Sequence, residues 1–141
     1  MSISDGLLST DDVIIVNQQF CKQLDEPYGL DYPEQLEKIV DEINSYNQLS
    51  DDKEKAILKT TCLLVGLVFE QPFKNGNKRT AAALSILIIR SHNCDIKDYK
   101  NEIQQKRFYE LLEKSMLTME GDPTIKSDIE KFLRENVIKV C

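Results

Sequence analysis

The strongest constraint on the fold is a pair of apolar segments that flank a short polar loop. Residues 62–69 would be apolar on every side of a helix, and residues 81–89, AAALSILII, are nearly so. A helix without a polar face has to lie in the interior of a domain. The loop between them contains Gln71-Pro72, and a proline disfavours helical geometry in the residue before it. The sequence therefore predicts two central helices with a loop at residues 71–76.

Elsewhere, apolar residues recur three and four positions apart between turn signals, which predicts further helices. Six helices are expected, and they open near Ser9 or Thr10, after Asp31, at Ser50, at Asn77, after the turn at residues 91–94, and at the capping box Ser127-x-x-Glu130. The fifth is expected to bury Ile103, Phe108, Leu111, Leu112 and Met119. The fold class is therefore all-α, a compact helical bundle.

Size and charge restrict the class of protein. At 141 residues with 41% hydrophobic content, residues 1–141 suit a single globular domain. A net charge of −6 opposes broad attraction to nucleic acid or anionic lipid, so we expect neither as a partner. No apolar run approaches the ~18 residues of a membrane span, and the acidic N-terminus is unlike a signal peptide. We therefore expect a cytoplasmic protein.

The four cysteines do not suggest a disulfide framework or a zinc site. They contain no C-x-x-C pair, and the single histidine, His92, is not placed to join them as a metal ligand. Cys62 and Cys94 fall on apolar stretches and are interpreted as small core residues, while Cys141 is at the chain end. We therefore interpret the cysteines as reduced thiols without a chemical role.

The fourth helix breaks a charge rule that the others follow. The helices near Ser50 and Ser127 carry acids in the first turn, where the positive end of the helix dipole favours them. Asn77 is expected to be an N-cap, yet Lys78 and Arg79 follow it and Lys74 precedes it. Each misplaced cation costs ~0.3–1 kcal/mol.

A bound anion would explain this arrangement. Gly76 allows close approach, and the first-turn N–H groups of a helix are available to a phosphate. The alternative is an Asn-Gly turn whose basic side chains bend into solvent. Local chemistry alone leaves both interpretations open.

The stretch QPFKNGNKRTA, from Gln71 to Ala81, resembles the signature of the Fic/Doc superfamily. In the Doc (death-on-curing) branch this signature reads H-x-F-x-(D/E/N)-(G/A)-N-K-R-T-A. The spacing of STDDVIIVNQQF, SHNCDI and EKFLRENV is also similar to Doc-type proteins, so the resemblance covers nearly the whole chain. It implies a helical bundle of the Fic/Doc type with the motif loop between two central helices.

The resemblance also implies a role for each motif position. It implies that the loop binds ATP or another nucleoside triphosphate, through Lys74, Gly76, Asn77, Lys78, Arg79 and Thr80. Phe73 would anchor the loop in the core. AMP-transferring members carry a second arginine where this chain has Ala82, which favours the Doc side, known for phosphoryl transfer.

Two motif positions depart from the family pattern. The position of the general-base histidine is Gln71, whose amide cannot accept a proton near pH 7. The position of the acidic magnesium ligand is Asn75, which brings no charge, so we expect Mg²⁺ to be held less tightly. Glu70 is the candidate replacement base, although neighbours on a helix point in different directions. His92 would lie ~22 Å from the motif along a helix, out of reach.

Three functions remain compatible with these residues. The first is a Doc-like toxin that transfers a phosphoryl or AMP group to a target protein's hydroxyl, with reduced activity. Its partners would be an antitoxin and a target for which the translation machinery is a candidate. The second is a catalytically inactive protein of the same fold that binds a partner. The third is a helical interaction domain that binds no nucleotide.

Overall fold

A computed structural model describes residues 7–97, 102–103, 106–107, 110 and 124–140. The described helices are α1 (Thr10–Gln23), α2 (Pro33–Ser45), α3 (Asp52–Glu70), α4 (Asn77–Ser91) and α5 (Ile125–Asn136). A 3-10 turn, Tyr46–Gln48, follows α2. The strands are β1 (Cys94–Ile96) and β2 (Val137–Lys139). The predicted all-α fold is confirmed apart from this small sheet.

Local chemistry explains where most helices begin. Ser9 and Asp12 form a capping box at the start of α1, since each side chain accepts a hydrogen bond from the other's backbone N–H. Pro33 opens α2, where its missing N–H would have no intrahelical partner. The third helix starts slightly later than Ser50, because Asp51 is the N-cap and accepts from the Glu54 N–H at 2.9 Å.

Two expectations in the C-terminal part are wrong. The last helix begins at Ile125 after the N-cap Thr124, so Ser127 lies inside its first turn and forms no capping box. Ile103 is 72% exposed, and Lys106 and Arg107, three and four positions further on, are exposed as well, so the surface that they share faces solvent. Phe108, Leu111, Leu112 and Met119, the other residues expected in that core face, lie outside the described residues.

The small sheet was not predicted from the sequence. Strands β1 and β2 pair antiparallel, with Cys94 opposite Lys139 and Ile96 opposite Val137. Val137 is buried, and it belongs to β2 rather than to the last helix. The pairing joins the C-terminal end of α4 to the end of α5.

Helix α3 is the centre of the bundle. It packs against α2, α4 and α5, and α1 packs against α4. A Cβ atom at Gly66 would lie 2.9 Å from the side chain of Ile39, so this glycine lets α2 and α3 approach closely. The core residues that are fully buried include Val13, Ala56, Ile57, Leu63, Leu64, Leu67, Ala81, Ala82, Leu84, Ile89 and Leu133. Among the helices described, none has the length and apolar character needed to cross a membrane.

Candidate functional site

The motif loop, residues 71–76, is bounded by two left-handed residues. Gln71 ends α3 with φ 45° and ψ 59°, which agrees with the expectation that Pro72 prevents it from continuing the helix. Gly76 precedes α4 with φ 79°, a conformation in which a residue with a Cβ is strained. The chain therefore turns sharply at both ends of the loop.

Asn77 holds the loop to its buried aromatic residue. Phe73 is 2% exposed, which agrees with the expectation that it anchors the loop. The Asn77 side chain accepts from the Phe73 N–H at 3.0 Å and donates to the Phe73 carbonyl at 2.8 Å. Asn77 is therefore not the N-cap that the sequence suggested. Its side chain turns back onto the loop, and Gly76 is the N-cap of α4.

The loop is also joined to the connection between α1 and α2. The Lys74 N–H donates to the Gly29 carbonyl and the Asp31 N–H donates to the Pro72 carbonyl, both at 2.8 Å. The Asn75 side chain donates through Nδ2 to the Pro27 carbonyl at 2.9 Å. An aspartate could not make this last bond, so the amide at position 75 has a structural role.

A buried asparagine from α1 forms the third attachment, and sequence reasoning missed it. Asn17 is fully buried, and its Nδ2 lies 2.7 Å from the Asn75 carbonyl oxygen and 3.2 Å from Thr80 Oγ1. The sequence did contain a signal for this role, because Asn17 lies on the same face of α1 as the apolar residues Val13 and Phe20. A polar residue on a buried face needs a hydrogen-bond partner elsewhere in the fold.

These attachments surround a cavity of about 280 Å³, lined by Glu26, Val68, Gln71, Lys74, Asn75, Gly76, Asn77, Lys78 and Arg79. Two predicted site residues do not line it. Thr80 is fully buried, with its hydroxyl facing Asn17. Glu70 is exposed and lines a separate groove beside Phe69, between α2 and α3. Glu26 was not predicted, because only the loop contacts bring it to the cavity.

The electrostatics of the cavity favour an anion. Lys74, Lys78 and Arg79 bring three positive charges, and Glu26 is the single carboxylate among the described lining residues. Within the described residues no side chain caps Gly76, and the first turn of α4 contains no acid. First-turn N–H groups have no intrahelical acceptor, and the helix dipole adds positive potential there. The arrangement can bind phosphate oxygens.

The donors for a divalent metal are few. No group of three or more His, Cys, Asp or Glu residues in the described part of the chain could hold a metal ion. The cavity offers the Glu26 carboxylate and the Asn75 Oδ1. Magnesium is commonly bound by one or two carboxylates together with substrate phosphates. These residues therefore fit Mg²⁺ when phosphate oxygens complete its coordination.

His92 and the described cysteines lie outside the cavity. His92 follows the last residue of α4, at the end opposite the motif, and is 6% exposed. Burial, with added repulsion from Lys59, lowers the pKa of His92 to about 4. Cys21, Cys62 and Cys94 are buried free thiols, and burial raises the pKa of Cys62 to about 12. The core interpretation of Cys62 and Cys94 is confirmed, and Cys141 lies outside the described residues.

Comparison with known proteins identifies the family signal in the same part of the chain. A family model described as the Fic/DOC family matches residues 7–89, more than half of the chain. The match covers α1 to α3, nearly all of α4, the motif loop and each of its attachments. No curated protein and no solved structure gives a significant match.

Proposed function

Because the chain belongs to the Fic/DOC family, whose members are generally nucleoside-triphosphate-using transferases or toxins, we propose that the cavity binds a nucleoside triphosphate by its phosphates. The observation that carries the proposal is the start of α4. A glycine cap, an acid-free first turn and three cations converge on one cavity. In this proposal ATP is the representative ligand.

Backbone and side-chain groups of the cavity divide this binding between them. The backbone N–H groups of Gly76 and Asn77 donate to phosphate oxygens, while Lys74, Lys78 and Arg79 neutralise their charge. Glu26 and the Asn75 Oδ1 would hold Mg²⁺ together with the phosphates. The ion would supply further positive charge to the phosphate chain. Thr80 is buried behind the loop, where its hydroxyl contacts Asn17, and it does not touch the ligand in this proposal.

The proposed reaction is transfer of a phosphoryl or AMP group to a hydroxyl of a target protein. The position of the second arginine of AMP-transferring members is Ala82, which is buried in the core and offers no charge to a ligand. This supports phosphoryl transfer. Gln71 lines the cavity where the family has its base, and its amide cannot take the hydroxyl proton. Loss of a general base typically slows a reaction ~10²–10⁴-fold, so we propose slow turnover.

A second function, a partner-binding protein without catalysis, is favoured by the Asn75 contact. The amide donates to Pro27 where the family has a metal-binding acid. The side chain at position 75 therefore holds the loop through its nitrogen and brings the metal an uncharged oxygen in place of a carboxylate. The Fic/DOC family often pairs with antitoxins, and we propose an antitoxin as the partner in either case. A cytoplasmic location, and a target in the translation machinery if the protein is active, are parts of the same proposal.

Ligand binding can be measured by titrating the protein with Mg-ATP and with tripolyphosphate, by calorimetry and thermal shift. We expect binding that raises the melting temperature by mass action. Arg79→Ala should weaken the affinity about 10- to 100-fold, since hydrogen bonds to charged groups contribute about 1.5–3 kcal/mol.

The matched control is Arg90→Ala, which removes an arginine from the other end of α4. Arg90 pairs with Asp95 at 3.5 Å and does not line the cavity. Its loss should leave the affinity unchanged. An unchanged melting curve at millimolar nucleotide, or equal losses in both variants, would contradict the proposed site.

A further inference from the structure

The buried amide of Asn17 reaches the motif loop from a helix 58 residues earlier in the chain. Its Nδ2 donates to the Asn75 carbonyl, and its Oδ1 accepts from the Cys21 thiol at 3.6 Å. Because the carbonyl at position 75 can only accept, the donor end of the amide has to face it. The amide therefore has one favourable orientation, with its nitrogen towards the loop.

This contact fixes the orientation of one peptide unit. The Asn75 carbonyl and the Gly76 N–H belong to the same planar group and point in opposite directions. Asn17 holds the carbonyl towards α1, on the buried side of the loop. The Gly76 N–H consequently points to the other side, where Gly76 lines the cavity.

Without Asn17 this peptide would be free to turn over. A glycine adopts positive and negative φ almost equally well, so a flip of the bond before Gly76 meets little steric resistance. Among the described residues, Asn17 makes the hydrogen bond that the Asn75 carbonyl accepts. A flipped peptide would direct that carbonyl oxygen into the cavity, where it would repel a phosphate oxygen.

We propose that Asn17 is a positioning residue that directs the Gly76 N–H into the cavity and thereby sets the affinity for a phosphate oxyanion. This inference rests on the proposed function of the cavity. The same Nδ2 contacts Thr80 Oγ1, and the Thr80 N–H donates to the Gly76 carbonyl at 2.9 Å. Asn17 therefore holds the peptide before Gly76 directly, and it contacts the residue whose N–H makes the first backbone bond of α4 to the Gly76 carbonyl.

The test compares the wild type with Asn17→Asp and Asn17→Ala, using Mg-ATP and tripolyphosphate as probes. Aspartate keeps the shape but cannot donate when ionised, so the peptide should turn its N–H towards it. Alanine removes the contact without adding charge. Both variants should bind the probes at least about 10-fold more weakly, the effect of one charge-assisted hydrogen bond.

Asn44→Asp is the matched control. Asn44 makes the same kind of attachment far from the cavity, donating to the Leu8 carbonyl at 2.8 Å and accepting from the Leu8 N–H at 3.0 Å. Its loss should lower the melting temperature and leave the affinity unchanged. A loss of affinity in Asn17→Asp but not in Asn17→Ala would assign the effect to charge and overturn the proposal.

A measurement on the wild type covers the case in which the Asn17 variants fail to fold. The chain has five glycines, whose amide resonances are readily recognised in a ¹⁵N spectrum. Addition of tripolyphosphate should shift the Gly76 resonance strongly. A Gly76 resonance that stays in place while the probe binds would overturn the inference. Absence of any binding by the wild type would instead contradict the proposed function.

Discussion

The first turns of the two central helices, α3 and α4, differ in their caps and in the sign of their charges. At the start of α3, Asp51 caps the helix and two further acids follow in the first turn. Arg134 of α5 pairs with Glu54 at 2.6 Å, and Lys139 of β2 pairs with Asp51 at 2.8 Å. At the start of α4 a glycine is the cap, no acid follows, and Arg79 occupies the position equivalent to Glu54.

This difference shows what each helix start is suited to bind. The start of α3 has its dipole matched by its own acids, and the acids are matched by cations from α5 and β2. The start of α4 has cations of the same sign as its dipole, and it faces a cavity. The start of α4 therefore carries more positive charge than the start of α3, and of the two it is the better suited to an anion.

The largest expected effect concerns the chemistry at the start of α4. Gln71→His should raise the transfer of label from γ- or α-labelled ATP by ~10²-fold or more, because it restores a group that can take the hydroxyl proton. Histidine is also among the residues that tolerate the left-handed conformation found at position 71. Transfer to proteins in a lysate, and to water, measures the gain.

Gln71→Asn is the control for the backbone, since asparagine tolerates the same conformation without supplying a base. Its transfer rate should match that of the wild type. Asn75→Asp alone should lower the melting temperature, because the bond to the Pro27 carbonyl is lost. A Gln71→His variant that binds ATP but transfers no label would favour the partner-binding function.

The sequence was sufficient for the central part of this architecture. The apolar segments around the loop predicted α3 and α4 as buried helices, and Pro72 predicted the break at Gln71. The signs of charge along the chain predicted the contrast between the two first turns. These signals are local, so they can be read without knowing the fold.

Contacts between distant segments were not predictable in the same way. Glu26 and Asn17 reach the site because the α1–α2 connection and α1 pack on the motif loop, and nothing near them in sequence specifies this. The amide of Asn77 could either cap α4 or bond to Phe73, and the buried position of Phe73 decided between them. The β1–β2 pairing joins residues more than forty positions apart, beyond the reach of local patterns.

A second prediction concerns the stability of the protein in acid, through His92, whose pKa is influenced by charged residues of α3. Burial, followed by the positive charges of Lys59 and Lys55 on α3, lowers the pKa of His92 from 6.5 to about 4. The unfolded chain takes up a proton below pH 6.5, whereas the folded chain does so only near pH 4. Stability should therefore fall as the pH decreases through this window, by about 2 kcal/mol between pH 8 and pH 5.

Urea unfolding of the wild type and of His92→Gln at both pH values measures this contribution. The variant should lose most of the pH dependence over this range, since glutamine does not titrate. The pKa of Asp51 is lowered by its bonds to Lys139 and Glu54, so its own contribution is lost only at still lower pH. An equal slope in both proteins would mean that the pKa of His92 is the same in the folded and the unfolded chain.

The smallest effect tests the comparison most directly, by exchanging the equivalent residues of the two first turns. In Arg79→Glu an acid replaces a cation at the positive end of the dipole, a gain of about 0.3–1 kcal/mol that offsets part of what is lost with the contacts of the Arg79 side chain. Glu54→Arg should destabilise it by about 1 kcal/mol, since the pair with Arg134 is lost as well. Only Arg79→Glu should abolish binding of Mg-ATP, because Glu54 does not line the cavity. If Arg79→Glu left the affinity for Mg-ATP unchanged, the cations at the start of α4 would not serve an anion, and the contrast with the start of α3 would have no bearing on ligand binding.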